Sequence, residues 1–230
     1  MKQKRLNVSE DQLSISAKGM ARRRFLTNTA GLITAASVIG ACNRYDDDNS
    51  GIDLGTGDIG ILNYAYAWEQ LEAAFYTQVI MSPFTSITDA EKSLLTDIRD
   101  HEIAHREFFK NALGSKAIPA LEVNFMAINF SSRDSVLGTA KAFEDLGVSA
   151  YNGIGKLITS PDYLLLTRKI VSVEARHATL IRDLTSNGIF ADSTTVDANG
   201  LDMAKAPKEV LATAAAYLKS RINANNLPTA

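Results

Sequence analysis

The sequence predicts an all-α fold: a four-helix bundle with one long crossover between the second and third helices, followed by a further helix near the C-terminus. Three observations predict it. Four segments carry apolar residues at the 3–4 spacing of an amphipathic helix. The connections between them run short, long, short, the pattern of a bundle with a single crossover. The segments also repeat in pairs. Trp68-Glu69-Gln70-Leu71, then Tyr76, matches Phe143-Glu144-Asp145-Leu146, then Tyr151; Glu102-x-x-His105 matches Glu174-x-x-His177.

The chain has 230 residues and 46% apolar residues, enough for one globular core with appendages. Its near-neutral balance is uneven. The first 42 residues are basic, and the remainder carries 17 Lys and Arg against 24 Asp and Glu. An acidic body lacks the positive footprint that nucleic acid requires. One cysteine, Cys42, excludes an internal disulfide.

Residues 1–42 read as a signal peptide. Arg22-Arg23-Arg24 precedes Phe25-Leu26 and a short apolar run, which closes on Ile39-Gly40-Ala41-Cys42. The arginines resemble the twin-arginine export motif, with Thr27 where lysine often stands. The closing tetrapeptide resembles a bacterial lipobox, in which the cysteine is acylated and becomes the mature N-terminus. The reading implies an exported lipoprotein, facing the periplasm or the cell surface and held to the membrane through Cys42. A transmembrane anchor is the competing reading, but the apolar run is short for a span. Residues 43–57, Asp-rich and Gly-containing, read as a flexible tether.

The bundle follows over 58–188. The first helix runs from about Asp58 to Met81. The second opens at Thr88, with Glu91 three residues on as a capping box, and stops at Gly114. A crossover over 114–131 contains Pro119. The third helix runs from about Ser132 to Ile158. The fourth opens at Ser160-Pro161, an N-cap followed by proline at the first helical position, and ends near Gly188. The extension 189–230 has a loop and one amphipathic helix, from about Pro207 to Ile222.

Each apolar seam has acid at its centre: Glu69 and Glu72 in the first helix, Glu102 and His105 in the second, Glu144 in the third, Glu174 and His177 in the fourth. Unpaired buried carboxylates are costly, so acids gathered at one level need a counter-charge. Glu and His three apart share a helix face and can touch one cation. Two such pairs plus one Glu from each remaining helix make six ligands for two metals: Glu69, Glu102, His105, Glu144, Glu174 and His177. Carboxylate with imidazole suits iron or manganese. Glu72 sits one turn from Glu69, but its repeat partner is Gly147; it reads as an alternative or additional ligand. Tyr76 and Tyr151, one to two turns on, can hydrogen-bond the ligands or donate an electron. His101 lies one residue off the seam and reads as surface or packing. In a bland version the polar core is only an ion-pair network, with Arg176 as counter-charge.

The ordered set Glu69, Tyr76, Glu102-x-x-His105, Glu144, Tyr151, Glu174-x-x-His177 resembles the di-metal signature of the ferritin-like superfamily. The stretches LNYAYAWEQLEAAFY and HEIAHREFF are similar to ferritin-like-domain proteins that include desiccation-related proteins. The resemblance covers about residues 58–188. It implies two iron ions (or manganese, or a mixed pair), bridged by Glu102 and Glu174. It implies dioxygen or hydrogen peroxide as the reacting partner, with oxidation of ferrous iron or removal of peroxide as the oxidoreductase activity, and a manganese-catalase-like variant. The alternative is a non-enzymatic, stress-related binding or scaffold protein. There is no Cys-x-x-Cys pair for a rubredoxin-like centre. A homodimer is one assembly compatible with this reading.

Overall fold

The computed structural model describes residues 50–229. The expected signal peptide, its twin-arginine motif, Cys42 and the tether up to residue 49 lie outside the described residues. In chain order the elements are strand β1 (Ile52–Asp53), helices α1 (Gly57–Met81), α2 (Asp89–Leu113), α3 (Arg133–Ile154) and α4 (Pro161–Thr185), short helix α5 (Pro207–Ala214) and strand β2 (Ile222–Asn223). The architecture is the expected all-α bundle. α1 packs along α2, α3 along α4, and α1 meets α3 where the two hairpins join. No described helix is long and apolar enough to cross a membrane.

The helix starts follow their capping residues. Thr88 accepts from the Glu91 amide while Glu91 accepts from that of Thr88, a complete capping box. Ser132 and Ser160 cap α3 and α4. Side chains from these termini also tie the hairpins together. Arg133 donates to Glu91 at 2.7 Å. Asp58, in the first turn of α1, accepts from the amides of Thr159 and Ser160, each at 2.8 Å.

α1 is buried almost all round. One side faces the bundle; the other is covered by the crossover and by the C-terminal segment. Its buried amides bind that cover. Asn63 donates to the carbonyls of Leu54 and Lys116 and accepts from the Ile118 amide. Gln70 accepts from the Leu121 amide at 2.8 Å. These bonds satisfy polar side chains that would otherwise be orphaned in the core.

Three boundaries depart from the sequence expectation. The described part of the tether is packed: Leu54 is fully buried, and β1 pairs in parallel with β2, Ile52 opposite Ile222. The C-terminal helix ends at Ala214 rather than near Ile222. A 3-10 turn, Ala215–Tyr217, follows, and the next residues give their backbone groups to the crossover, with Asn124 N bonded to Tyr217 O at 2.7 Å and Lys219 N to Glu122 O at 2.8 Å. Those long-range bonds replace the helical ones. Finally, α3 stops at Ile154, four residues early. Nearby, the 203–206 segment crosses α3 so closely that a Cβ on Gly153 would lie 1.8 Å from the Lys205 carbonyl oxygen. Lys205 in turn donates its amide to Ser149 O at 2.9 Å.

Candidate metal centre

The four bundle helices bring all six expected side chains to one level of the core. α1 contributes Glu69, α2 Glu102 and His105, α3 Glu144, and α4 Glu174 and His177. They form two groups, Glu69–Glu102–His105–Glu174 and Glu102–Glu144–Glu174–His177, with one donor atom per residue all within 4.8 Å of one another in each. The four glutamates are fully buried. His105 Nδ1 lies 2.9 Å from Glu174 Oε1, 3.4 Å from Glu69 Oε2 and 3.6 Å from Glu102 Oε2. His177 Nδ1 lies 2.7 Å from Glu102 Oε1 and 3.7 Å from both Glu144 Oε2 and Glu174 Oε2. Glu102 and Glu174 therefore turn one oxygen to each group.

The tyrosines cross between the hairpins. Tyr76 of α1 donates to Glu144 Oε1 of α3 at 2.5 Å, and Tyr151 of α3 donates to Glu69 Oε1 of α1. Each occupies one oxygen of its glutamate and leaves the other facing a histidine. The remaining donor atoms make no hydrogen bond of good geometry and meet one another only as His–Glu ion contacts: Glu69 Oε2, both oxygens of Glu102 and Glu174, Glu144 Oε2, and Nδ1 of His105 and His177. Buried polar atoms are rarely left so. Eight buried lone-pair atoms from carboxylates and imidazoles converging at one level are the donor set for two cations, and the residues present fit them. No Lys or Arg pairs with this cluster among the described residues. Arg176, the counter-charge of the bland reading, is exposed and bonds Ser172 instead.

The electrostatics show what the protein does with these charges by itself. Burial pushes Glu69 up to about 8, with His105 opposing. Burial also raises Glu144 well above the carboxylate range, against the pull of His177. Burial would raise Glu102 too, but both histidines hold it at about 2. Burial disfavours the His177 cation, yet the surrounding carboxylates, Glu102 foremost, lift it to about 11. His105 is raised still further, by Glu69 in particular. Burial and the neighbouring carboxylates keep both tyrosines protonated, as donors. Protons thus take the positions that divalent ions would otherwise neutralise.

Glu72 stands apart. It is fully buried, and neither of its oxygens has a partner, but it joins neither four-donor group. It lies over Gly147, where a Cβ would sit 3.4 Å from its Oε1 and 2.8 Å from Trp68 Nε1. Between the two α1 acids, the geometry brings Glu69 into the cluster. His101, expected at the surface or in packing, is an exposed residue that also meets a member of the cluster. Its Nδ1 lies 2.9 Å from Nε2 of His177, with the two rings edge to edge and within 16° of parallel, their centroids 5.2 Å apart. Burial, then His177, lower its basicity. The signal that could have found it was its position one turn before His105.

A family profile described as a ferritin-like domain matches residues 57–187, from the first residue of α1 to just beyond α4. A comparison with curated proteins finds no match to this chain.

Proposed function

The chain belongs to the ferritin-like domain family, and from that premise we propose that it is a di-iron or di-manganese oxidoreductase reacting with dioxygen or hydrogen peroxide. The observation that carries the proposal is the set of eight buried donor atoms converging in two groups that share Glu102 and Glu174. When bound, a ferrous pair supplies one electron per ion, enough with two protons to take dioxygen to peroxide or peroxide to two waters.

The chain's own residues set up that chemistry. Glu102 and Glu174, each turning one oxygen to either group, would be the ligands common to both cation positions. His105 and His177 would each offer Nδ1 to one of those positions. Glu69 and Glu144 are restricted to one donor oxygen apiece by Tyr151 and Tyr76, whose hydroxyl protons stay on the phenols beside the reacting centre. The surrounding apolar core keeps bulk water out, which strengthens every charge interaction inside. We further propose that the protein is exported and lipid-anchored through Cys42, on the strength of the twin-arginine and lipobox-like sequences. Replacing Cys42 by Ser should move the protein from the detergent phase to the aqueous phase on partitioning.

The test uses the full chain. It should take up two metal ions per chain and then oxidise added ferrous iron, or consume peroxide, in rapid mixing. Two bound ions with no turnover of either oxidant would leave a scaffold whose metals only staple the bundle. No metal uptake would end the reading.

A further inference from the structure

We infer that His101 is a positioning residue for the second cation position, acting through His177, and that it makes the two positions unequal. The inference rests on the di-metal reading above. To serve a cation, His177 must present a lone pair on Nδ1, the atom that faces Glu102, Glu144 and Glu174. A neutral imidazole carries one N–H, so the proton then sits on Nε2. That N–H has an acceptor in place: Nδ1 of His101 at 2.9 Å. His101 consequently carries its own proton on Nε2, and its side chain belongs to an exposed residue of α2. The two rings meet edge to edge and nearly coplanar, 16° apart, so the bond fixes the tilt of His177 as well as its tautomer.

The internal repeat sharpens the point. His101 precedes Glu102, and the residue in the same place before Glu174 is Val173. Valine accepts no hydrogen bond, and among the described residues no imidazole stands behind His105 as His101 stands behind His177. The ligand sets of the two positions match, but only one ligand histidine has an imidazole behind it. An outer acceptor raises the basicity of the histidine it orients, and removing such a partner weakens metal affinity by about 10–100-fold.

The experiment titrates cobalt(II) into the metal-free full chain and follows heat and visible absorption. Wild type should bind two equivalents. In His101→Ala, one equivalent should weaken by about tenfold or more with a shifted spectrum, and the other should hold. His101→Asn, whose amide oxygen can accept in place of Nδ1, should recover much of the loss. His101→Phe, which keeps a flat ring at that place but has no acceptor, should behave like His101→Ala. Two unchanged equivalents in the Ala or Phe variants, or equal weakening of both, overturns the inference and leaves the di-metal proposal standing. A wild-type chain that binds no cobalt at all overturns both. Thermal melts of each metal-free variant separate loss of a donor from loss of fold.

Discussion

The α1–α2 hairpin and the α3–α4 hairpin contribute the same chemistry to the centre, yet they are built into the molecule differently. Each supplies one lone glutamate, one Glu-x-x-His pair and one tyrosine that reaches across to the other hairpin. Around that shared set the halves diverge. α1 carries an extra buried acid, Glu72, where α3 has Gly147; α2 carries His101 where α4 has Val173. α1 is wrapped by the crossover and the chain's far end, whereas α3 is crossed at Gly153 by residues 203–206. The repeat therefore governs the atoms that face the centre and relaxes one layer behind them.

The strongest break of the symmetry comes from the shared acids. Glu102→Ala or Glu174→Ala removes a donor from both groups, and metal analysis should find bound ions falling from two toward none. Glu69→Ala or Glu144→Ala removes a donor from one group, and one ion should remain. Equal losses from all four variants would mean that Glu102 and Glu174 do not bridge.

A smaller effect follows from the metal-free charges. Glu69 is raised from the ordinary carboxylate value to about 8, so between about pH 4.5 and 8 the unfolded chain binds fewer protons than the folded one. His177 is raised to about 11 and acts in the same direction above about pH 6.5. Both contributions are present at low pH and fade as pH rises. The metal-free protein should therefore lose several degrees of thermal stability between about pH 6 and 9. The metal-loaded protein should stay flatter over the same window. A metal-free midpoint that rises across it would contradict the raised proton affinities of these groups.

The smallest effect probes the odd pair. Gly147→Ala puts a methyl 2.8 Å from Trp68 Nε1 and against Glu72, and should cost about 1–3 kcal/mol in denaturant melts. Pairing it with Glu72→Ala should recover part of that cost, because the two sites touch. Metal uptake should stay at two in Glu72→Ala, since Glu72 lies outside both groups.

Much of this was legible in the sequence. The starts of α2, α3 and α4 were marked by Thr88, Ser132 and Ser160-Pro161, residues whose side chains fill the orphaned amides of a first turn. The six clustered side chains were legible because acid in the middle of an apolar seam is costly unless a cation meets it there. What was hidden depends on long-range pairing. A two-residue strand such as Ile52–Asp53 has no periodicity to detect and exists only because Ile222–Asn223 lies beside it. The early end of the C-terminal helix has the same origin, since Tyr217 and Lys219 bond to a segment nearly a hundred positions away. His101 was hidden because its role depends on a partner 76 positions further on.

The β1–β2 pairing bears on how the molecule assembles. Asn226 bonds Asp53 across 173 positions, and Leu227 presses on Gly60 at the start of α1. The two helical hairpins rest on short-range contacts and can condense early. This clasp joins positions about 170 apart, and loop-closure entropy delays such contacts. A nascent chain will hold both hairpins before it can seal the first turn of α1. Synthesis of residues 222–227, rather than of the helices that bear the acids, is what completes this clasp.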